Sequence, residues 1–144
     1  MISIEIWVVW LHLLAVAAWL GGAAAQRFAI LPAMRAGGDT PQAARRVHFI
    51  TSRAVEIVIL TGIMNVLLRG LASGWALSRG FTAMLSIKLL LVAAMVGLQV
   101  WAGIAWKQEV APVSAAVQKV RIALTLQLVL GAVVVLLGLG VRSA

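Results

Sequence analysis

The chain has 144 residues, enough for one domain, and 63% of them are apolar against 11% charged, a balance outside the soluble class. A formal net charge of +8 would suggest nucleic acid in a soluble protein, but here the basic residues fall between apolar runs, as loops retained on the cytoplasmic side do. The expected partner is therefore a lipid bilayer and no nucleic acid, and the lack of cysteine excludes disulfides, thiolate metal sites and thiol catalysis.

Four apolar segments follow one another, predicted as helices over residues 4–28, 47–68, 81–106 and 120–141, each near the ~20 residues that span a bilayer core. Short linkers and the absence of a repeat imply a single all-α domain over 1–144, an integral membrane four-helix up-down bundle. The first segment is continuous from Trp7 to Pro32. Ala23-Ala24-Ala25 resembles a cleavage site, but no Lys or Arg precedes it, so a retained helix is expected rather than a signal peptide. On that helix Glu5, His12, Trp19 and Gln26 recur every seven residues and share one stripe, which should face protein or water rather than lipid.

Between the first two segments, Pro32, Gly37-Gly38-Asp39 and Pro41 act as breakers. The second helix is the least apolar. Arg53 and Glu56 can pair across one turn, and the cost of charge within a membrane predicts that they face inward, together with Leu60 and Met64. His48, at the start of this segment beside Arg45 and Arg46, falls off that stripe and reads as interfacial. On the third helix Met84, Lys88, Met95, Gln99 and Trp106 share a face, and on the fourth Gln127, Gly131, Val134 and Gly138 do the same. The four stripes can converge. Helical depth sets His12, Met64 and Lys88 at one level, near the end of the bundle where the chain begins.

Orientation follows from the basic residues. Arg27, Arg35, Arg45, Arg46, Lys107, Lys119 and Arg121 flank one side, against Arg69, Arg79 and Arg142 on the other. A multi-pass protein of a bacterial inner (plasma) membrane would then have both termini on the non-cytoplasmic side, with Trp7, Trp10 and Trp75 at the outer interface and Trp106 at the inner one.

Leu11-His12-Leu13 leading to Trp19-Leu20-Gly21-Gly22, then Pro32, Thr61-Gly62 and Lys88-Leu89-Leu90-Leu91-Val92, resembles the CopD copper-resistance membrane domain and its relative HemJ, a haem-containing protoporphyrinogen oxidase. The likeness covers nearly the whole chain. It implies functional roles for His12 and Lys88, the histidine of helix one and the lysine of helix three in the HemJ pattern. Gly97-Leu98-Gln99 stands where HemJ proteins tend to carry a tyrosine-histidine pair, and their Asn-Glu-x-Pro segment before helix four is missing, which brings the chain nearer the CopD branch, although Gln127 stands where CopD proteins often carry glutamate.

Three functional readings stay open on the residues. One is a small membrane haem protein for electron transfer or porphyrin redox chemistry. In it His12 is the axial ligand of haem b, Met64 or neutral Lys88 completes the coordination or the iron is five-coordinate, Lys88 meets a propionate, and Trp19 and Gln99 shape the pocket. Such a protein implies a membrane redox partner or quinone. The second is a CopD-like copper(I) carrier with His12 and Met64 as metal ligands, Met84 and Met95 being further soft donors. The third is a cofactor-free scaffold, a homo-oligomer or a subunit of a larger complex, in which His12 is a hydrogen-bonded core residue. No nucleophile-base constellation or glycine-rich phosphate loop is present, so hydrolase chemistry is not expected.

Overall fold

The computed structural model describes residues 4–36, 41–76, 78–107 and 113–140, an all-α bundle of four helices each long and apolar enough to cross a membrane. The first helix runs over Ile4–Arg35, the second over Pro41–Ala72, the third over Arg79–Lys107 and the fourth over Val113–Gly140. The first and second helices pack closely along their length, as do the third and fourth. The two hairpins join mainly where the first helix meets the fourth.

The helices outrun their apolar segments. Pro32, expected to stop the first helix, lies inside it, because Gln26–Ile30 winds as a π-helix immediately before. Proline removes the amide that would bond the Phe28 carbonyl and crowds that carbonyl, and the wider turn accommodates both. The second helix starts at Pro41, where a missing N–H costs nothing. The third is capped by Ser78, whose Oγ accepts from Phe81 N at 3.2 Å. Gly37-Gly38-Asp39, Pro112, Arg142 and the Trp106 side chain lie outside the described residues.

The turn between the second and third helices puts Gly74 and Trp75 in the left-handed region, at φ 57° and 63°. Trp75 N donates to the Gly70 carbonyl at 2.8 Å, and the indole folds over Gly70, where a Cβ would stand 2.7 Å from Trp75 Cζ3.

Two apolar clusters form the core. One gathers Ala23, Leu31, Ala102, Ala105, Val120 and Leu124; the other gathers Ala15, Trp19, Ala54, Val55, Val58 and Met95. Beyond Ala15, Thr61, Met95 and Gly131, toward the end that holds Ile4 and Ala72, the only buried residue among those described is Gly70. The bundle thus has a packed end and an open end.

Three of the four expected stripes face inward. Trp19 and Gln26 are buried on the first helix with His12 half-buried, Met95 and Gln99 on the third with Met84 and Lys88 half-buried, and Gln127 and Gly131 on the fourth. The second helix is turned the other way. Arg53 and Glu56 do pair, at 2.7 Å, but their side chains are 61% and 56% exposed. Leu60 and Met64 are exposed beside them. The inward face instead carries Ala44, Thr51, Ala54, Val58 and Thr61. These small residues permit a closer approach to the first helix than a salt bridge would. At Gly22 the approach is so close that a Cβ would collide with Thr51 Cγ2.

Candidate functional site

His12 reaches across the tightest helix pair to Thr61. The Thr61 hydroxyl donates to the Ile57 carbonyl at 2.6 Å, the back-bond usual for threonine in a helix. With its proton so committed, Oγ1 accepts from His12 Nδ1 across the 2.8 Å contact between them. The ring also has a hydrogen bond with the Val58 backbone, so two groups of the second helix fix its orientation. The ring lies against Gly62, where a Cβ would meet His12 Cε1 at 3.5 Å, an ordinary contact. Orientation of the ring by neighbouring oxygens is shared with metal-ligating histidines, one of whose nitrogens donates to such an oxygen.

At the open end lies a cleft of about 370 Å³, lined by Glu5 and Val9 of the first helix, Asn65 and Arg69 of the second, and Phe81 of the third. The Arg69 guanidinium stands 4.8 Å from the centre of the Phe81 ring and so bridges two helices. His12 is seven residues inward from Glu5, Gly62 seven from Arg69 and Lys88 seven from Phe81. Seven residues are two turns, so these three positions sit at one level, ~10 Å beneath the cleft and on the faces that line it. Lys88 is half-buried and, among the described residues, makes no hydrogen bond or ion pair.

The other expected site residues lie elsewhere. Met64, 45% exposed, stands one turn from Thr61 with its side chain outside the packed interior. Trp19, only 2% exposed, lies two turns inward of His12 on the same stripe and floors the open region; its Nε1 has no hydrogen-bond partner among the described residues. Gln99 is three turns inward of Lys88, at the centre of a separate polar cluster. It donates to Thr51 Oγ1 at 3.0 Å and accepts from Gln127 Nε2 at 2.9 Å. The same amide nitrogen reaches His48 Nδ1 at 3.4 Å. His48, expected at the interface, therefore points into the bundle, where its ring rests on Gly103, a Cβ there falling 2.8 Å from Nε2. The signal for this inward face was the run of small and hydroxyl residues Ala44, Thr51, Ala54 and Thr61. Arg69 and Asn65 at the cleft had no signal beyond being polar near a helix end.

His48 and His12 do not share a site. Thirteen residues separate His48 from Thr61 along the second helix, ~20 Å of rise. Among the described residues no three His, Cys, Asp or Glu side chains gather as a metal site would require. No family model, curated protein or solved structure matches this chain.

Proposed function

We propose that the protein is a small integral membrane b-type haem protein for electron transfer or porphyrin redox chemistry, with His12 as its one protein axial donor. The observation that carries this reading is the hold of Thr61 and Val58 on the imidazole, which orients the ring at the level where side-chain packing ends. The residues present fit haem in that His12 would hold the iron while Lys88 and Arg69 would meet its two carboxylates; His48 lies in the separate Gln99 cluster and Met64 is exposed. Bound there, haem would supply a one-electron centre. The chain's own residues would orient the ligand through Thr61, floor the site with Trp19 and hold the propionates with Lys88. Copper(I) has less support, since Met64 is exposed and Met95 is packed in an apolar cluster. The charge count supports a bacterial inner membrane location with both termini on the non-cytoplasmic side, which puts the cleft in the outer leaflet, open to a quinone or a membrane redox partner.

The test is an absorption spectrum of the full chain purified in detergent after expression with haem supply. A Soret band with reducible α and β bands is expected, lost in His12→Ala and kept in His48→Ala. A protein that takes up no haem, or a His12→Ala variant that retains it, overturns the proposal.

A further inference from the structure

The ion pair that faces away from the bundle core is the least expected feature of the second helix. Glu56 falls at the middle of the Gln42–Ala72 span, roughly 20 Å from either end of the helix, too far for its short side chain to reach water. Arg53 turns toward Glu56 at 2.7 Å rather than toward the nearer helix end. Charged residues inside membranes almost always face protein or a water-filled cavity. The fold gives this pair no cover.

The residues around it have a period. Phe49, Arg53, Glu56, Leu60, Ile63 and Leu67 are separated by steps of 4, 3, 4, 3 and 4 residues, and every one is exposed. That spacing is the seam of a left-handed helix pair. It lies opposite the face that Thr51, Val58 and Thr61 present to the first helix, so packing within the chain makes no use of it.

We propose that this seam is a homodimer interface, in which the second helices of two copies pack in parallel about a two-fold axis along the membrane normal. The occupant follows from charge complementarity. A two-fold brings Arg53 of each copy beside Glu56 of the other, so one chain carries both halves of the match and each ion pair becomes part of a four-charge ring. Leu60, Ile63 and Leu67 continue the contact toward one end and Phe49 toward the other. The inference does not depend on a haem at His12.

The chain has no cysteine, so single introduced cysteines report contacts directly. In membranes containing the full chain, Leu60→Cys and Ile63→Cys should form oxidised dimers. Leu90→Cys on the third helix, 72% exposed against 67% for Leu60, should not. A second experiment separates pairing between copies from pairing within one. Two differently tagged chains are co-expressed and one tag is captured. Arg53→Glu should lose about tenfold in co-purification with itself, and so should Glu56→Arg. Arg53→Glu together with Glu56→Arg should recover wild-type co-purification, although neither chain can form its internal ion pair. Recovery in the mixed pair also demonstrates that both variants fold. Monomeric wild-type chain, equal crosslinking at Leu90 and Leu60, or a mixed pair no better than the single variants would each overturn the proposal.

Discussion

Gly21 and Gly22 are neighbours with opposite expected responses to the same substitution. A Cβ at Gly21 meets nothing within 4 Å, whereas one at Gly22 collides with Thr51 Cγ2. Alanine gains up to ~1 kcal/mol over glycine in a helix, so Gly21→Ala should stabilise by about that amount. Gly22→Ala has the same gain set against overpacking of about 1–3 kcal/mol. Thr51 cannot swing aside freely, because its hydroxyl donates to the His48 carbonyl at 2.9 Å and accepts from Gln99 at 3.0 Å. Losing the interhelical bond adds ~0.6 kcal/mol. The net for Gly22→Ala is a destabilisation of about 1–2 kcal/mol, and the two variants should differ by about 2–3 kcal/mol. Thr51→Ser removes only the colliding methyl and keeps the hydroxyl, so adding it to Gly22→Ala should restore at least half of the loss. The measurement is unfolding by sodium dodecyl sulphate in mixed micelles, followed by far-ultraviolet circular dichroism. If the two alanine variants unfold together, or Thr51→Ser restores nothing, the close approach of the first two helices is not what Gly22 provides.

Gln99→Leu should cost about 1–2 kcal/mol in the same assay, since it leaves both ends of the fully buried Gln127 amide unpaired. Gln99→Leu with Gln127→Leu should recover most of it, because Thr51 still has the His48 carbonyl. Thr61→Val should leave the bundle folded yet lower haem retention, by releasing Nδ1 and the ring orientation; unchanged retention and an unchanged reduced spectrum would refute the orienting role. Lys88→Met should weaken haem retention while raising or preserving the stability of the haem-free protein, as removal of an unpaired cation from a membrane interior does. A drop in haem-free stability would mean that Lys88 serves packing instead.

Helix number and the inward faces of the first, third and fourth helices were legible because polar residues are rare in this chain, so a stripe such as Met84, Lys88, Met95 and Gln99 stands out at helical spacing. The second helix was misread for the same reason. Arg53 and Glu56 outweighed the threonines and alanines on the opposite face, although a threonine that back-bonds to its own helix is cheap to bury and small enough to allow contact. His48 followed the error, since its inward position is clear only from the Thr51 face. The extension of the first helix past Pro32 rests on a π-helical turn, which leaves no mark in hydrophobic periodicity. The link from His12 to Thr61 depends on the register between two helices, which no single-helix pattern contains.

The polar groups of the bundle interior divide into two kinds, and the division bears on where chemistry belongs. At the packed end the amides of Gln99 and Gln127, the Thr51 hydroxyl and the His48 imidazole are tied to one another, Gln127 Oε1 alone lacking a partner among the described residues of this cluster, and Gln26 bonds the Ala44 carbonyl at 3.2 Å. Such a network holds helices together. At the open end stand an imidazole and a lysine that makes no ion pair among the described residues, on one level beneath one cleft. A serine or asparagine at position 12 would have clamped the first helix to Thr61 without bringing an imidazole, a strong metal donor, to this level. A cation at position 88 costs several kcal/mol unless it is paired or hydrated. A flat ligand carrying a metal and carboxylates would use the imidazole and neutralise Lys88 at once, whereas a bare copper ion would use only the imidazole and add positive charge beside Lys88.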